Sequence, residues 1–172
     1  MSDIDKCVSF TGYRPEKIIK SSSNPNIEQE IRKALGVTIR RLYDEGYRSF
    51  FSGMAEGFDM WAAGEVLLLR DNGVCPEISL TAVIPFSGQP LRFPGESQIK
   101  YKEILSLATD KVVLAKDYYR GCYETRNNYL IDNASLIICY FDGQPGGTKY
   151  TVTNARRRGL RVINLFEPMT LF

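Results

Sequence analysis

The sequence predicts an α/β fold in which a mostly parallel sheet of six strands carries helices on both of its faces. Two patterns predict it. Six short apolar runs are bounded by turn residues, and between them lie stretches whose apolar residues recur at helical spacing. This alternation is typical of a parallel sheet, because a helix connects each strand to the next. The length of 172 residues suits one domain, and we expect a single domain over 1–172.

The predicted strands and helices follow one another along the whole chain. The strands are expected at 6–11, 47–51, 80–84, 111–115, 136–140 and 162–165. Apolar stripes with a helical period run over 27–42, 58–69, 101–108 and 123–131. Gly46 is expected to end the first of these helices, and a last helix is expected from Gly147 to about Arg158. The segment 85–95, with three prolines and two glycines, is expected to be a long loop.

Composition and charge argue against several classes of partner. Lysine and arginine number 22 against 20 acidic residues, so the formal charge of +2 supplies no broad basic field, and we do not expect nucleic acid as a partner. No apolar run approaches the roughly 20 residues of a membrane span. The first residues lack the basic segment and long apolar run of a signal peptide. We therefore expect a cytoplasmic protein without a membrane partner.

Residue types that bind metals or act as nucleophiles are sparse. The chain has no histidine, and its four cysteines include no C-x-x-C pair, so no metal site is expected. The absence of histidine also removes the commonest general base and every Ser–His or Cys–His nucleophile. Any catalysis must therefore use carboxylates, tyrosine, lysine, arginine or a bound metal.

The segment 52–59, Ser-Gly-Met-Ala-Glu-Gly-Phe-Asp, is the clearest candidate for a ligand site. It follows a predicted strand and opens a helix with an acid in its first turn. Amide groups at such a helix start are unpaired and suit an anion or a polar ligand. The alternative is a plain turn in which glycine supplies only conformational freedom. Ser52 and Gly53 are the candidate ligand contacts, and Glu56 and Asp59 are the candidate catalytic carboxylates.

Three other polar segments follow predicted strands and complete the candidate site. In open α/β sheets, ligands bind beyond the carboxyl ends of the strands, where the strand order reverses. With the common strand order 3-2-1-4-5-6, the loops after strands 1, 2, 4 and 5 would share one crevice. The candidate ligand-binding residues in these loops are Thr11, Gly12, Arg14, Arg126, Asn127, Gly146, Gly147 and Thr148.

Each candidate also has a purely structural interpretation. The segment 146–148 either holds a phosphate with exposed amides or forms a tight turn with a capping threonine. Arg14 is either a fork for a phosphate or carboxylate or a surface charge. Arg126 either contacts a ligand or pairs with Glu124 on the surface. Asp59 either accepts from a ribose hydroxyl, acts as a catalytic acid, or only complements the helix dipole.

Four motifs occur in order over nearly the whole chain. They are Thr-Gly-Tyr-Arg-Pro at 11–15, Ser-Gly-Met-Ala-Glu-Gly-Phe-Asp-Met-Trp-Ala-Ala at 52–63, Arg-Asn at 126–127 and Gly-Gly-Thr-Lys-Tyr-Thr at 146–151. Together they resemble the YpsA-like proteins of the SLOG superfamily, which also holds the DNA-processing protein DprA and the LOG cytokinin-activating phosphoribohydrolases. The resemblance implies a Rossmann-like three-layer sandwich and a site for a nucleotide or nucleotide-derived ligand.

Two positions depart from the patterns of the resembled proteins. YpsA-like proteins commonly have histidine where this chain has Tyr13, so any chemistry of that histidine does not carry over. LOG enzymes have a Gly-Gly-x-Gly-Thr motif followed closely by a glutamate used in N-glycosidic cleavage. Here the segment 146–148 lacks that spacing, and residues 149–151 supply no glutamate. The resemblance therefore implies the phosphate-holding half of that motif without its catalytic half.

Three functions fit these observations. The leading hypothesis is cytoplasmic binding or sensing of a nucleotide-like small molecule at the carboxyl ends of the strands, with no cofactor identified beyond that ligand. The first alternative is a hydrolase that cleaves an N-glycosidic or phosphoribosyl bond with Glu56 or Asp59. The second is DprA-like binding of single-stranded nucleic acid, against which the near-neutral charge argues. Homo-oligomers are common among such domains, so self-association is also expected.

Overall fold

A computed structural model describes residues 4–166, so residues 1–3, on which the expectation about a signal peptide partly rests, lie outside it. Within the described range, strands and helices alternate as predicted. The strands are β1 Cys7–Gly12, β2 Ser49–Ser52, β3 Ser79–Ile84, β4 Asp110–Val113, β5 Leu136–Tyr140 and β6 Arg161–Asn164. The helices are α1 Pro15–Ser21, α2 Ile27–Asp44, α3 Phe58–Asp71, α4 Gly95–Leu107, α5 Cys122–Asp132 and α6 Gly147–Arg157. Short 3₁₀ turns lie at Ile4–Lys6 and Gln89–Arg92.

The six strands form one sheet in the order β4-β3-β2-β1-β5-β6, and every pairing is parallel. The predicted fold class is therefore confirmed. The assumed strand order 3-2-1-4-5-6 is wrong, because β4 pairs with β3 at the edge of the sheet and β1 pairs with β5.

Burial explains why β4 lies at the edge. Its residues Asp110, Lys111 and Val113 are exposed, whereas all five residues of β5 are buried. A central strand of a parallel sheet is covered on both faces and must be apolar throughout. The strand β5 meets that requirement and takes the place beside β1.

The helices cover the sheet in two groups. The helix α3 packs against both α2 and α4, and α5 packs against α6. Side chains of β5 alternate between these layers: Leu136, Ile138 and Tyr140 join the large core, while Ile137 and Cys139 pack with residues of α6. Right-handed crossovers require this division, because the chain moves outward from β1 to β4 and then returns to β5 and β6. The direction of winding therefore reverses between β1 and β5.

The helix α1 lies in a segment where no helix is predicted from the sequence. Proline occupies the first position of α1, where its missing N–H and fixed φ are compatible with a helix, and Ile18 anchors the helix in the core. The predicted last helix is confirmed as α6, and Gly159 follows it with a φ of 81°. Among residues 4–166, no helix combines the length and apolar character needed to cross a membrane.

Candidate functional site

A cavity of about 580 Å³ opens at the carboxyl end of β1, beside the start of α6 that follows β5. An open α/β sheet binds its ligands at such a reversal of winding. Eight of the twelve predicted site residues line this switch-point cavity: Thr11, Gly12, Arg14, Asp59, Arg126, Asn127, Gly147 and Thr148. The other four are not among its lining residues: Ser52, Gly53, Glu56 and Gly146.

The helix α5 brings Arg126 and Asn127 to the switch-point cavity by a route that the assumed strand order did not contain. Although β4 lies at the edge of the sheet, α5 crosses back toward β5 and contacts β3, β1 and α6 on the way. The two residues therefore reach the carboxyl end of β1 from the returning crossover.

Ser52 shapes the turn at the end of β2. Its hydroxyl donates to the backbone oxygen of Asp59 at 2.8 Å and accepts from the amide of Met54 at 3.2 Å. Met54 adopts a φ of 62°, a left-handed conformation that is uncommon for a residue with a side chain. The buried serine thus holds a strained turn that delivers Asp59 to the cavity.

Gly53 supports the site through its backbone. Its carbonyl oxygen accepts from Nη1 of Arg126 at 2.6 Å and from Nε2 of Gln89 at 3.1 Å. A Cβ atom at this position would lie 2.6 Å from Cδ of Arg126, so only glycine permits the close approach. Gly53 is predicted from the sequence to contact a ligand. In the structure, its carbonyl oxygen holds the buried Arg126 in place.

Asp59 is a buried carboxylic acid that lines the switch-point cavity. The residue is only 5% exposed, and its Oδ1 has no hydrogen-bond partner within the described residues. Burial raises the pKa of Asp59 from 3.8 to about 6. The guanidinium of Arg126 opposes this rise most strongly, and the Ala55 amide and Arg14 oppose it less. Asp59 therefore offers an unused acceptor whose charge is only partly compensated.

Arg126 is buried at the wall of the cavity, so the interpretation as a surface ion pair with Glu124 is wrong. Its Nε donates to Oδ1 of Asn127 at 2.8 Å, in addition to the bond to the Gly53 carbonyl. Burial lowers the pKa of Arg126, and the charge of Asp59 opposes that change. The guanidinium is thus fixed by two hydrogen bonds and adds positive charge beside Asp59.

The start of α6 closes another side of the cavity. Gly146 precedes the helix with a φ of 139°, and Lys17 donates from Nζ to the carbonyl of Pro145 at 2.9 Å. The first α-helical hydrogen bond of α6 runs from the Tyr150 amide to the Gly146 carbonyl. The amides of α6 that come before Tyr150 therefore take no part in its α-helical hydrogen bonds. A helix start of this kind attracts anions.

Tyr13, at the position where the resembled proteins commonly have histidine, connects two loops. Its hydroxyl donates to Oδ1 of Asp142 at 2.5 Å and accepts from the Asp142 amide at 3.3 Å. Burial and the hydrogen bond to the Asp142 side chain raise the pKa of Tyr13 to about 12. The phenol stays protonated at neutral pH, so its observed contacts assign it a tethering role.

Glu56 faces a different part of the molecule. Its carboxylate accepts a hydrogen bond from Ser97 and lines a groove of about 790 Å³ bounded by α2, α3 and α4. Glu65 lies in the same groove, and burial raises its pKa. The two candidate catalytic carboxylates, Glu56 and Asp59, thus lie on opposite sides of the turn.

The sequence interpretation missed four residues that line the cavity: Glu16, Lys17, Lys20 and Tyr123. Proline at the first position of α1 was the available signal for the lysines, because a helix from Pro15 places residues three apart on one face. Tyr123 was assigned to the apolar stripe of its helix, and no local signal distinguishes it from a core residue. Among residues 4–166, no three acidic, cysteine or histidine side chains come together as a metal site.

Two solved structures of DNA-processing proteins share this fold. DNA processing protein A (DprA) of Streptococcus pneumoniae matches with a TM-score of 0.60 at 18% identity, over 92% of this chain and 49% of that chain. DprA of Helicobacter pylori, whose structure is described as giving insights into its single-stranded DNA binding mode, matches with a TM-score of 0.61 at 17% identity. That match covers 93% of this chain and 65% of the other. The chain thus spans half to two thirds of these proteins, and the likeness establishes the Rossmann-like fold.

Sequence relatives cover most of the chain. A UPF0398 protein of Halalkalibacterium halodurans is 30% identical over 156 residues, which make up 89% of this chain and 82% of that protein. A UPF0398 protein of Oceanobacillus iheyensis is 27% identical over 148 residues, or 84% of this chain and 79% of that protein. The model of the YspA SLOG family matches residues 8–163. The resemblance carried by the four motifs is therefore confirmed, and the chain belongs to the YspA SLOG family.

Proposed function

We propose that the switch-point cavity binds an anionic, nucleotide-like small molecule in the cytoplasm, and that the protein acts by binding or sensing it. The observation that carries the proposal is the unused Oδ1 of Asp59, which is buried in the wall of a cavity that also contains Arg126 and Arg14. A buried acceptor without a partner is unfavourable in the ligand-free protein. A ligand that donates a hydrogen bond there would remove that disadvantage.

The charge of the cavity suits an anion. Its lining contains four cations and two acids: Arg14, Lys17, Lys20 and Arg126 against Glu16 and Asp59. The start of α6 adds the positive end of a helix dipole and amides that precede the first helix bond. A phosphate group at this end would therefore meet both fixed charge and amide donors.

A sugar hydroxyl is the group that best suits Asp59. A hydroxyl donates one hydrogen bond and is neutral, so it can approach a buried carboxylate without adding like charge. The phosphate at the start of α6 and the sugar hydroxyl at Asp59 would then lie in one cavity of about 580 Å³. This volume is within the size range of small-molecule sites. A phosphorylated sugar or nucleotide has both groups.

Hydrolysis remains the second candidate because of the raised pKa of Asp59, about 6, which is in the range of a general acid near neutral pH. Glu56 receives no support as a catalyst, since its carboxylate lines the other groove and bonds with Ser97. A hydrolase would release free base from a nucleoside monophosphate, and Asp59→Asn would abolish that release.

Isothermal titration calorimetry at about pH 7.5, with the four 5′-nucleoside monophosphates and ribose 5-phosphate, tests the proposal directly. We expect saturable binding by the wild type and a rise in melting temperature with ligand concentration. Arg14→Gln should raise Kd about tenfold or more, because a hydrogen bond to a charged group contributes about 1.5–3 kcal/mol. Arg14 is exposed and makes no capping bond, so the variant should fold normally.

Arg40→Gln is the matched control, because Arg40 is exposed on α2 and does not line the cavity. Equal losses in Arg14→Gln and Arg40→Gln would indicate general charge attraction and contradict the assigned site. Absence of any heat of binding or melting shift with the whole panel at about 10 mM would refute the proposed function. Measuring free base in the same samples separates binding from hydrolysis.

A further inference from the structure

Three aromatic rings lie together beside the switch-point cavity, and one of them belongs to a residue of its lining. The centroid of Phe86 lies 5.5 Å from that of Tyr118 and 6.0 Å from that of Tyr123, and the two tyrosine rings are 6.3 Å apart. Tyr123 also lines the cavity. This aromatic cluster, Phe86, Tyr118 and Tyr123, thus extends from the cavity wall onto the surface.

The aromatic cluster is accompanied by arginines. The guanidinium of Arg14 lies 5.8 Å from the centroid of Tyr123, and that of Arg92 lies 5.9 Å from the centroid of Tyr118. Tyr118 is 54% exposed, although it contacts both other rings. A single exposed tyrosine is ordinary, but a three-ring group beside a cavity, with Arg14, Arg92 and Arg126 near its rings, is a surface suited to a flat ligand.

The loops that carry the aromatic cluster are connected by the backbone. The amide of Ser87, next to Phe86, donates to the carbonyl of Ala115 at 3.2 Å and so joins the segments that follow β3 and β4. The Cys122 amide, at the start of α5, donates to the carbonyl of Tyr119 at 3.1 Å. The rings are therefore presented on a braced surface, which reduces the entropy lost when a ligand binds.

We infer that the aromatic cluster is a stacking surface for the base of the ligand, so that the site selects base-bearing nucleotides over bare sugar phosphates. The inference rests on the proposed function and specifies the class of ligand. With its phosphate at α6 and its sugar near Asp59, a nucleotide would have its base directed toward Tyr123 and the exposed Tyr118. Every base has a π-face, so stacking here tolerates all four bases.

The test compares a ligand with a base and a ligand without one. Binding of the four 5′-nucleoside monophosphates and of ribose 5-phosphate is measured by calorimetry for the wild type, Tyr118→Ala and Tyr118→Phe. We expect Tyr118→Ala to raise Kd for the monophosphates about tenfold and to leave Kd for ribose 5-phosphate unchanged. Tyr118→Phe keeps the ring and should bind like the wild type.

Tyr119→Ala is the matched control. Tyr119 is the next residue, is 43% exposed and donates its hydroxyl to Thr125, but it makes no ring contact with the aromatic cluster among the described residues. We expect this variant to bind both kinds of ligand normally. Melting temperatures of all variants without ligand confirm that each is folded.

The outcomes distinguish the inference from the proposed function. Equal affinity of the wild type for ribose 5-phosphate and the monophosphates, or an equal loss for both in Tyr118→Ala, would overturn the stacking role while leaving the cavity as an anion site. No binding of any of these ligands would overturn the proposed function and the inference with it. A single-stranded oligonucleotide is titrated in the same assay, and binding only of this oligonucleotide, weakened in Tyr118→Ala, would replace the small-molecule ligand by a polymer and also overturn the inference.

Discussion

Asp59→Asn should remove a pH dependence of stability whose sign follows from the raised pKa of Asp59. Between pH 3.8 and about pH 6 the folded protein keeps a proton that the unfolded chain releases. The free energy of unfolding contributed by this group therefore falls as pH rises through that window and is constant above it. Asparagine does not titrate, so the free energy of unfolding of the variant, relative to that of the wild type, should rise over the same window.

The magnitude follows from the size of the shift. A rise from 3.8 to about 6 is about two pKa units, which corresponds to about 3 kcal/mol above pH 6. At about pH 4.5 about one third of that difference is present, so the variant should gain about 2 kcal/mol on the wild type between pH 4.5 and pH 8. Asp59 is only 5% exposed, so solvent screening reduces this value little.

Urea unfolding at several pH values measures the difference, with the fluorescence of Trp61 as the probe. Trp61 is the single tryptophan of the chain and lies on α3, two residues after Asp59. Asp71→Asn is the control on the same helix: Arg70 lowers the pKa of Asp71 from 3.8, so this group titrates below the measured range and its difference from the wild type should stay nearly constant between pH 4.5 and pH 8. A difference between Asp59→Asn and the wild type that stays constant or shrinks as pH rises would refute the reasoning.

Two further substitutions test the supports of the site, each with a control of the same chemical type. Gly53→Ala should lose about 1–3 kcal/mol of unfolding free energy from overpacking against Arg126, whereas Gly64→Ala, with open space around its Cβ, should gain up to about 1 kcal/mol. Similar changes in both, measured in urea, would contradict the close-approach argument. Tyr13→Phe removes the two hydrogen bonds between the Tyr13 hydroxyl and Asp142, and it should lower the free energy of unfolding by about 1–2 kcal/mol. Tyr43→Phe, which loses an exposed bond, should change stability less, and an equal loss would argue against the tether.

The alternation of strands and helices could be predicted because it depends on local periodicity, but the strand order could not. The order depends on which strand tolerates an exposed edge, and that depends on side chains compared across the whole sheet. Asp110 and Lys111 at the start of β4 were the signal, since charged residues favour an edge strand. The placement of Arg126 and Asn127 at the crevice at the end of β1 does not depend on the wrong strand order. The helix α5 carries them back to the place where a central β4 would have put them.

The direction of individual side chains was the other part that the sequence did not determine. Glu56 and Asp59 are three residues apart and looked equivalent as carboxylates near a helix start. Gly57, with a φ of 92°, lies between them and turns the chain, so one acid contacts Ser97 and the other lines the switch-point cavity. Periodicity does not report such dihedral angles, because they depend on the strain that the surrounding core supports.

The burial of Asp59 near the charge of Arg126 disfavours the folded state and is better explained by a ligand than by stability. Arg126 already donates to the Gly53 carbonyl and to Asn127, so it does not need the carboxylate to satisfy these donors. If the charge of Arg126 fully compensated the burial of Asp59, the pKa of Asp59 would not be raised, yet burial raises it to about 6. The implied 3 kcal/mol or so is a large part of the 5–15 kcal/mol that is usual for a domain. A hydrogen bond donated from the cavity to Oδ1 would offset part of this disadvantage, and this supports a role for Asp59 in ligand binding.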